Sequence, residues 1–181
     1  MSKKRNIVLF IATSLDGYIA TNDEKLDWLF EVEGEGDNGI SDFYQTVDTV
    51  LMGRRTYDWI SQDDHIVEYP YKDKQSYVFT RSRVEKNEHV QFIQQDIEGF
   101  IYQLKSEPGK DIWLIGGGEL LTSFLEKELV DEIIMTVAPK IIGEGIPLFN
   151  RGKHRLNLSL EGVQTFNQFV ELHYTVQKGG E

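Results

Sequence analysis

Short, unbroken apolar runs recur along this chain, and most are closed by glycine or small polar residues. They are Ile7–Ala12 (I-V-L-F-I-A), Asp48–Gly53 (D-T-V-L-M-G), Ser76–Phe79, Val90–Ile93, Ile112–Ile115 and Glu132–Ala138. Runs of this length, rich in β-branched residues and bounded by turn formers, predict strands buried on both faces. Helical spacing fills the intervals. Ser41 is the expected N-cap of a short helix that places Asp42 in its first turn and gathers Phe43, Tyr44 and Val47 on one face. Tyr57, Trp59 and Ile60 mark a second helix, and Ile97, Ile101 and Leu104 a third that stops before Pro108-Gly109. Leu120, Leu121, Phe124 and Leu125 mark another, starting at about Gly118. Leu156–Gln164 and Phe169–Val176 alternate apolar and polar positions, which predicts two antiparallel strands.

Strand–helix alternation followed by strands without helices predicts an α/β fold. Its mixed sheet is mostly parallel, with an antiparallel C-terminal ribbon at one edge. Neither an internal repeat nor a linker interrupts residues 1–181, so one domain is expected. The connections are polar. Asp63–Lys74 is a surface segment, Pro139–Phe149 is punctuated by glycine and proline, and acidic Glu31–Asn38 reads as a solvated loop or a flap over a cleft.

Ligands of parallel sheets bind beyond the strand carboxyl ends, and here three such ends are unusual. Gly116, Gly117 and Gly118 join a strand directly to a helix. That junction presents free N–H groups and a positive dipole end, and it has no Cβ to hold an anion away. The bland alternative is a tight turn with no ligand. Gly53-Arg54-Arg55-Thr56 is a second junction of the same kind, carrying two guanidiniums and a hydroxyl. Solvated arginines are the alternative there, although cations at a helix start are electrostatically disfavoured. Thr80-Arg81-Ser82-Arg83 closes a third strand. Together the three suggest a ligand with separate phosphate groups.

Composition narrows the classes. The net charge of −11 disfavours nonspecific binding to nucleic acid or anionic membranes, so any anion must be held by a local basic pocket. With no cysteine, disulfides, thiolate zinc sites and cysteine nucleophiles are excluded, and no metal site is expected. No apolar run approaches the roughly 18 residues of a membrane span. The basic start Met1–Arg5 reads as a polar lead into the first strand of a cytoplasmic protein.

Five segments, in order and spread over nearly the whole chain, resemble a known family. They are S-L-D-G-Y-I-A (Ser14–Ala20), L-D-W-L (Leu26–Leu29), L-M-G-R-R-T-Y (Leu51–Tyr57), I-G-G-G-E-L (Ile115–Leu120) and P-K-I-I-G-E-G-I-P-L-F (Pro139–Phe149). The chain resembles dihydrofolate-reductase-fold proteins, specifically the branch with the C-terminal reductase domain of bacterial riboflavin biosynthesis. The resemblance implies a three-layer fold, NADPH as cofactor, and hydride transfer. It places Ala12 and Ile19 at the nicotinamide, and Gly53, Arg54, Arg55 and Thr56 at the phosphates. Thr80, Arg81 and Ser82 fall on the adenosine side with its 2′-phosphate, and Gly116, Gly117, Gly118, Glu119 and Leu120 on the pyrophosphate. It also implies a cis peptide at Gly116-Gly117 and a homodimer, for which apolar Phe166, Phe169, Leu172 and Tyr174 on the C-terminal ribbon are the expected surface.

The substrate side departs from the family pattern. In dihydrofolate reductases an acid on the first helix binds the pterin ring, and Asp27, Glu31 and Glu33 match it only by neighbourhood. Asp27 and Trp28 are the expected substrate contacts. Asp16 is the expected proton donor, with capping of the Asp-Gly turn as its alternative role. A deaminase half is excluded by the missing cysteines. The expected activity is reduction of 5-amino-6-(5-phosphoribosylamino)uracil or a similar heterocycle. The alternatives are a pterin or folate reductase and a nucleotide-binding protein without catalysis.

Overall fold

The computed structural model describes residues 4–62, 66–83, 86–152 and 154–179. Asp63–His65, inside the predicted surface connection, lie outside the described residues. The elements run β1 (Ile7–Ser14), β2 (Tyr18–Ala20), α1 (Asp27–Phe30), α2 (Ile40–Thr46), β3 (Val47–Gly53), α3 (Arg54–Gln62), β4 (Gln75–Phe79) and β5 (Gln91–Ile93). They continue with α4 (Ile97–Ser106), β6 (Asp111–Gly116), α5 (Gly118–Glu126), β7 (Glu132–Ala138), β8 (Ile146–Pro147), β9 (Asn157–Phe166) and β10 (Phe169–Gln177).

An eight-stranded sheet has the order β5-β4-β3-β6-β1-β7-β10-β9. The pairs from β5 to β7 are parallel, while β10 runs antiparallel to both β7 and β9. β1 lies near the middle because Ile7, Val8 and Leu9 are apolar on both faces and can be covered on both. Alternation then divides the core. Ile7, Leu9, Leu51 and Leu114 pack with Ile101 and Leu104 of α4 and Leu121 and Phe124 of α5. On the opposite face Val8 and Phe10 pack with Phe43 of α2, and Val50 and Met52 pack with Ile60 of α3. Helices on both faces of one sheet make three layers, as expected.

Two local expectations change. Helix α2 is not capped by Ser41. Its N-cap is Gly39 at φ 77°, and the Asp37 carboxylate accepts from the Gly39 and Ser41 amides at 3.1 and 2.9 Å. A hydrogen bond from the Ser41 side chain, with those amide bonds beside it, holds the Asp37 carboxyl below its ordinary range. The second change concerns the C-terminal ribbon. Phe166 and Phe169 turn inward, into a cluster with Trp28 and Ala138. The exposed apolar groups on these strands are Leu158, Leu160, Val163 and Val170 instead. Leu160 and Val163, each 58% exposed, lie on β9, the outermost strand of the sheet.

Candidate cofactor and substrate site

The three unusual strand ends come together. β4, β3 and β6 are neighbours and parallel, so Thr80, Gly53-Arg54 and Gly116 sit side by side at one edge of the sheet. At about 4.8 Å per strand they span roughly 10 Å. The two glycine junctions also touch. A Cβ on Gly53 would lie 3.8 Å from the Gly117 amide nitrogen, and one on Gly117 would lie 3.2 Å from Thr56 Oγ1. From a third side Asn150 approaches, with Nδ2 at 3.2 Å from a Cβ placed on Gly118 and 3.3 Å from Thr122 Oγ1. Asn150 was not legible as a site residue, because nothing in its local pattern ties it to the glycine turn.

The Gly116-Gly117 peptide is cis, as the resemblance implies. Gly116 has φ 126°, a conformation that L side chains rarely adopt, and open space lies where its Cβ would stand. Gly116→Ala is therefore expected to destabilise by about 1–3 kcal/mol through backbone strain, not through a clash. Thermal unfolding of the variant checks this.

Helix α5 begins with N-cap Gly117, which offers no side-chain cap. Its first amides have no carbonyl one turn back to bond, so they point outward with the positive end of the helix. Glu119 is exposed in this first turn, whereas the Leu120 side chain is buried in the main core. Any role of Leu120 toward a ligand falls to its backbone.

The arginines at the start of α3 are partnered by acids. Arg54 Nε donates to Asp58 Oδ1 at 2.7 Å, and its guanidinium lies 5.5 Å from the Phe92 ring centre. Arg55 is mostly exposed and pairs with Glu24. These contacts offset the unfavourable dipole that the sequence pattern raises. Arg81 and Arg83 are exposed and pair with no described residue. The turn that carries Arg81 is ordered by its neighbours: the Ser82 amide donates to Thr80 Oγ1 at 3.1 Å, and Gln94 Nε2 donates to the Ser82 carbonyl at 2.7 Å.

β1 ends beside this edge, with Ala12 half-buried. Ile19 on β2 packs against the main core, and β2 pairs with β8. Asp16 latches these pieces together. Oδ1 accepts from Ser14 Oγ at 2.7 Å and from the Ile142 amide at 3.2 Å, while Oδ2 accepts from the Gly143 amide at 2.8 Å. Desolvation pushes this carboxyl upward, but the donors from Ser14, Gly143 and Ile142 together outweigh it and hold it below its ordinary range. A proton donor near neutral pH needs the opposite shift. These hydrogen bonds are the ones that the alternative role, in the Asp-Gly turn, requires.

A depressed folded-state value stabilises above the ordinary carboxylate value of about 3.9, and that contribution disappears as pH falls through the folded value. Asp16→Asn should therefore lower the melting temperature near neutral pH, and its deficit against the parent should shrink below about pH 4. A deficit that stays constant across that range contradicts the latch.

The expected substrate contacts separate. Asp27 is exposed, while Trp28 is buried with Ala138, Phe166 and Phe169. The Trp28 ring is part of a core cluster, yet its Nε1 donor has no hydrogen-bond partner among the described residues. Glu31 pairs with Lys140 at 2.7 Å, and Glu33 is exposed.

Comparison with known proteins agrees with this architecture. Over 172 residues the chain is 49% identical to YwjB of Bacillus subtilis (strain 168), a protein without an assigned function; the match covers 94% of this chain and 98% of YwjB. A protein from Shewanella sp. PV-4, provisionally assigned to riboflavin biosynthesis, superposes with a TM-score of 0.85 at 29% identity, over 98% of this chain and all of the other. The Thermotoga maritima diaminohydroxyphosphoribosylaminopyrimidine deaminase/5-amino-6-(5-phosphoribosylamino)uracil reductase gives a TM-score of 0.70 at 17% identity, over 97% of this chain and 57% of that one. Dihydrofolate reductase from Enterococcus faecalis, complexed with NADP(H), gives 0.66 at 14% identity over 98% and 100%. The fold is that of dihydrofolate reductase. Residues 5–172 match the RibD C-terminal domain, and the chain belongs to that family.

Proposed function

We propose that this protein is an NADPH-dependent reductase that transfers hydride to a heterocyclic or ribosylamine substrate, with 5-amino-6-(5-phosphoribosylamino)uracil as the named substrate. One observation carries the reading: three strand ends rich in glycine, arginine and hydroxyl groups lie adjacent at a single sheet edge, against a helix start without a side-chain cap. In this reading Gly53–Thr56 and the amides of Gly116–Leu120 hold the pyrophosphate. Thr80, Arg81 and Ser82 take the adenosine and its 2′-phosphate, and Ala12 and Ile19 border the nicotinamide. NADPH supplies two electrons and a hydrogen as hydride. The protein's own work is to bind the phosphates, hold the ring at the end of β1 and shield it from water.

The NADP(H) complex of the Enterococcus faecalis enzyme and the reductase activity named for the Thermotoga maritima protein support the same reading. The test is oxidation of NADPH, followed at about 340 nm, with the phosphoribosylaminouracil and with dihydrofolate offered separately. Turnover of the first supports the proposal, and turnover of dihydrofolate alone makes the protein a pterin reductase. Tight NADPH binding without turnover of either makes it a binding protein.

Assembly is part of the proposal. β9 is a long edge strand bearing exposed Leu158, Leu160 and Val163, and such an edge pairs readily with another copy. Light scattering at micromolar concentration should give the mass of a dimer. Leu160→Lys should shift it toward the monomer, and a monomer mass for the parent refutes the pairing.

A further inference from the structure

Strand register shows an acid that local pattern does not. Ala12 on β1 pairs with Thr136 on β7, and Thr136 pairs with Glu171 on β10. Residues directly opposite share a face, so Ala12, Thr136 and Glu171 form a row across three strands. From Ala12 to Glu171 is two strand spacings, about 10 Å.

This row lies between two apolar clusters on the α1/α2 side of the sheet. Towards the amino ends of β1 and β7, Val8, Phe10 and Ile134 are covered by Phe43. Towards the carboxyl ends, Ala138 is covered by Trp28, beside Phe169. Ala12, Thr136 and Glu171 belong to neither cluster, and Ala12 and Glu171 remain half-exposed. The row between α1 and α2 thus begins at half-exposed Ala12, beside which the reductase reading puts the nicotinamide, passes over buried Thr136 and ends at a half-exposed carboxyl group.

Resting on the reductase reading, we propose that Glu171 is the catalytic acid of this site, anchoring the substrate through its ring nitrogen or exocyclic N–H groups and protonating the nitrogen that receives the electron pair. Thr136 Oγ1 donates to Glu171 Oε2 at 3.4 Å and orients the carboxyl. Burial pushes this carboxyl up, and that outweighs the opposing Thr136 bond and the nearby His173. The surrounding charges are few. His173 on the same strand is engaged by Glu132 of β7 at 2.9 Å, the β9 register partner is neutral Gln164, and near α1 Glu31 is paired with Lys140. Bound NADPH would supply the hydride for the new C–H bond at the C=N carbon, and the Glu171 O–H would give its proton to the nitrogen that takes the π pair, leaving NADP⁺ and the Glu171 carboxylate. Water then returns the proton.

Glu171→Gln preserves shape and the Thr136 contact while removing the titratable proton, so the fold and cofactor site should be unaffected. The expected result is an NADPH Kd within about twofold of the parent, kcat lowered by at least about tenfold, and loss of the alkaline limb of the pH–rate profile. Unchanged kcat with an unchanged alkaline limb overturns the assignment while leaving the reductase reading intact. If the parent binds NADPH but reduces neither the phosphoribosylaminouracil nor dihydrofolate, carbon-13 NMR titration of Glu171 in the NADP⁺ complex decides. A midpoint above the ordinary glutamate value of about 4.3 supports the role, and one at or below it overturns the role. If the parent fails to bind NADPH, the reductase reading falls first, and this inference falls with it.

Discussion

Phe124→Ala is expected to lower the free energy of unfolding by about 3–5 kcal/mol, the range for deleting a large aromatic group from a close-packed core. Phe124 is fully buried, 0% exposed, in the cluster that joins α4 and α5 to β1, β3 and β6. Its ring meets Phe79 of β4 edge to face, with centroids 5.9 Å apart. Removing it forfeits transfer energy and that ring pair, and leaves a cavity that the surrounding strands cannot close. Urea denaturation should show a lower midpoint at unchanged slope. Because α5 also presents the glycine junction, cofactor affinity should fall as well. A loss below about 1 kcal/mol would mean that this layer is loosely packed, contrary to the burial seen.

Arg81→Ala is expected to weaken NADPH while leaving NADH nearly untouched. A charge-assisted contact to a 2′-phosphate contributes about 1.5–3 kcal/mol, which corresponds to roughly ten- to hundredfold in Kd. Arg81 is suited to the role because it is exposed at the end of β4, two strands from the glycine junction, and pairs with no described residue. Among the described residues the guanidinium has no partner to give up when it meets an anion. Arg54 and Arg55 differ, since each must leave or share Asp58 or Glu24. Calorimetric titration of both cofactors into parent and variant separates the cases. Equal losses for NADPH and NADH sink the assignment of Arg81 to the 2′-phosphate.

The strands β1, β3, β6 and β7 were legible because they are apolar on both faces, a pattern that few other local structures produce. The adjacency of three decorated strand ends was only half legible. Each end is marked in its own segment, but the order β4-β3-β6 arises from long-range pairing. Asp37 was missed as the α2 cap because it reaches forward past a glycine at positive φ, and Ser41, a capper of equal rank, stands within the helix. Phe166 and Phe169 read as a surface because alternation does not say which face of a ribbon is covered, and the covering residue, Trp28, is remote in sequence.

Glu171 shows the same limit. In an alternating strand a glutamate looks solvated, and only the register with Thr136 and Ala12 brings it into the row beside the expected nicotinamide. Asp16, by contrast, has a conspicuous motif but spends its lone pairs on Ser14, Ile142 and Gly143. A motif marks where a residue sits in the chain, and hydrogen bonding determines which proton states it can visit.

The central claim is that one edge of the sheet, from β4 to β1, binds NADPH. A crystal soaked with NADPH tests it most directly. Density is expected with the pyrophosphate between Gly53–Thr56 and the amides of Gly116–Leu120, the 2′-phosphate at Arg81, and the nicotinamide beside Ala12. Cofactor density anywhere else on the molecule, or none at millimolar NADPH, contradicts it.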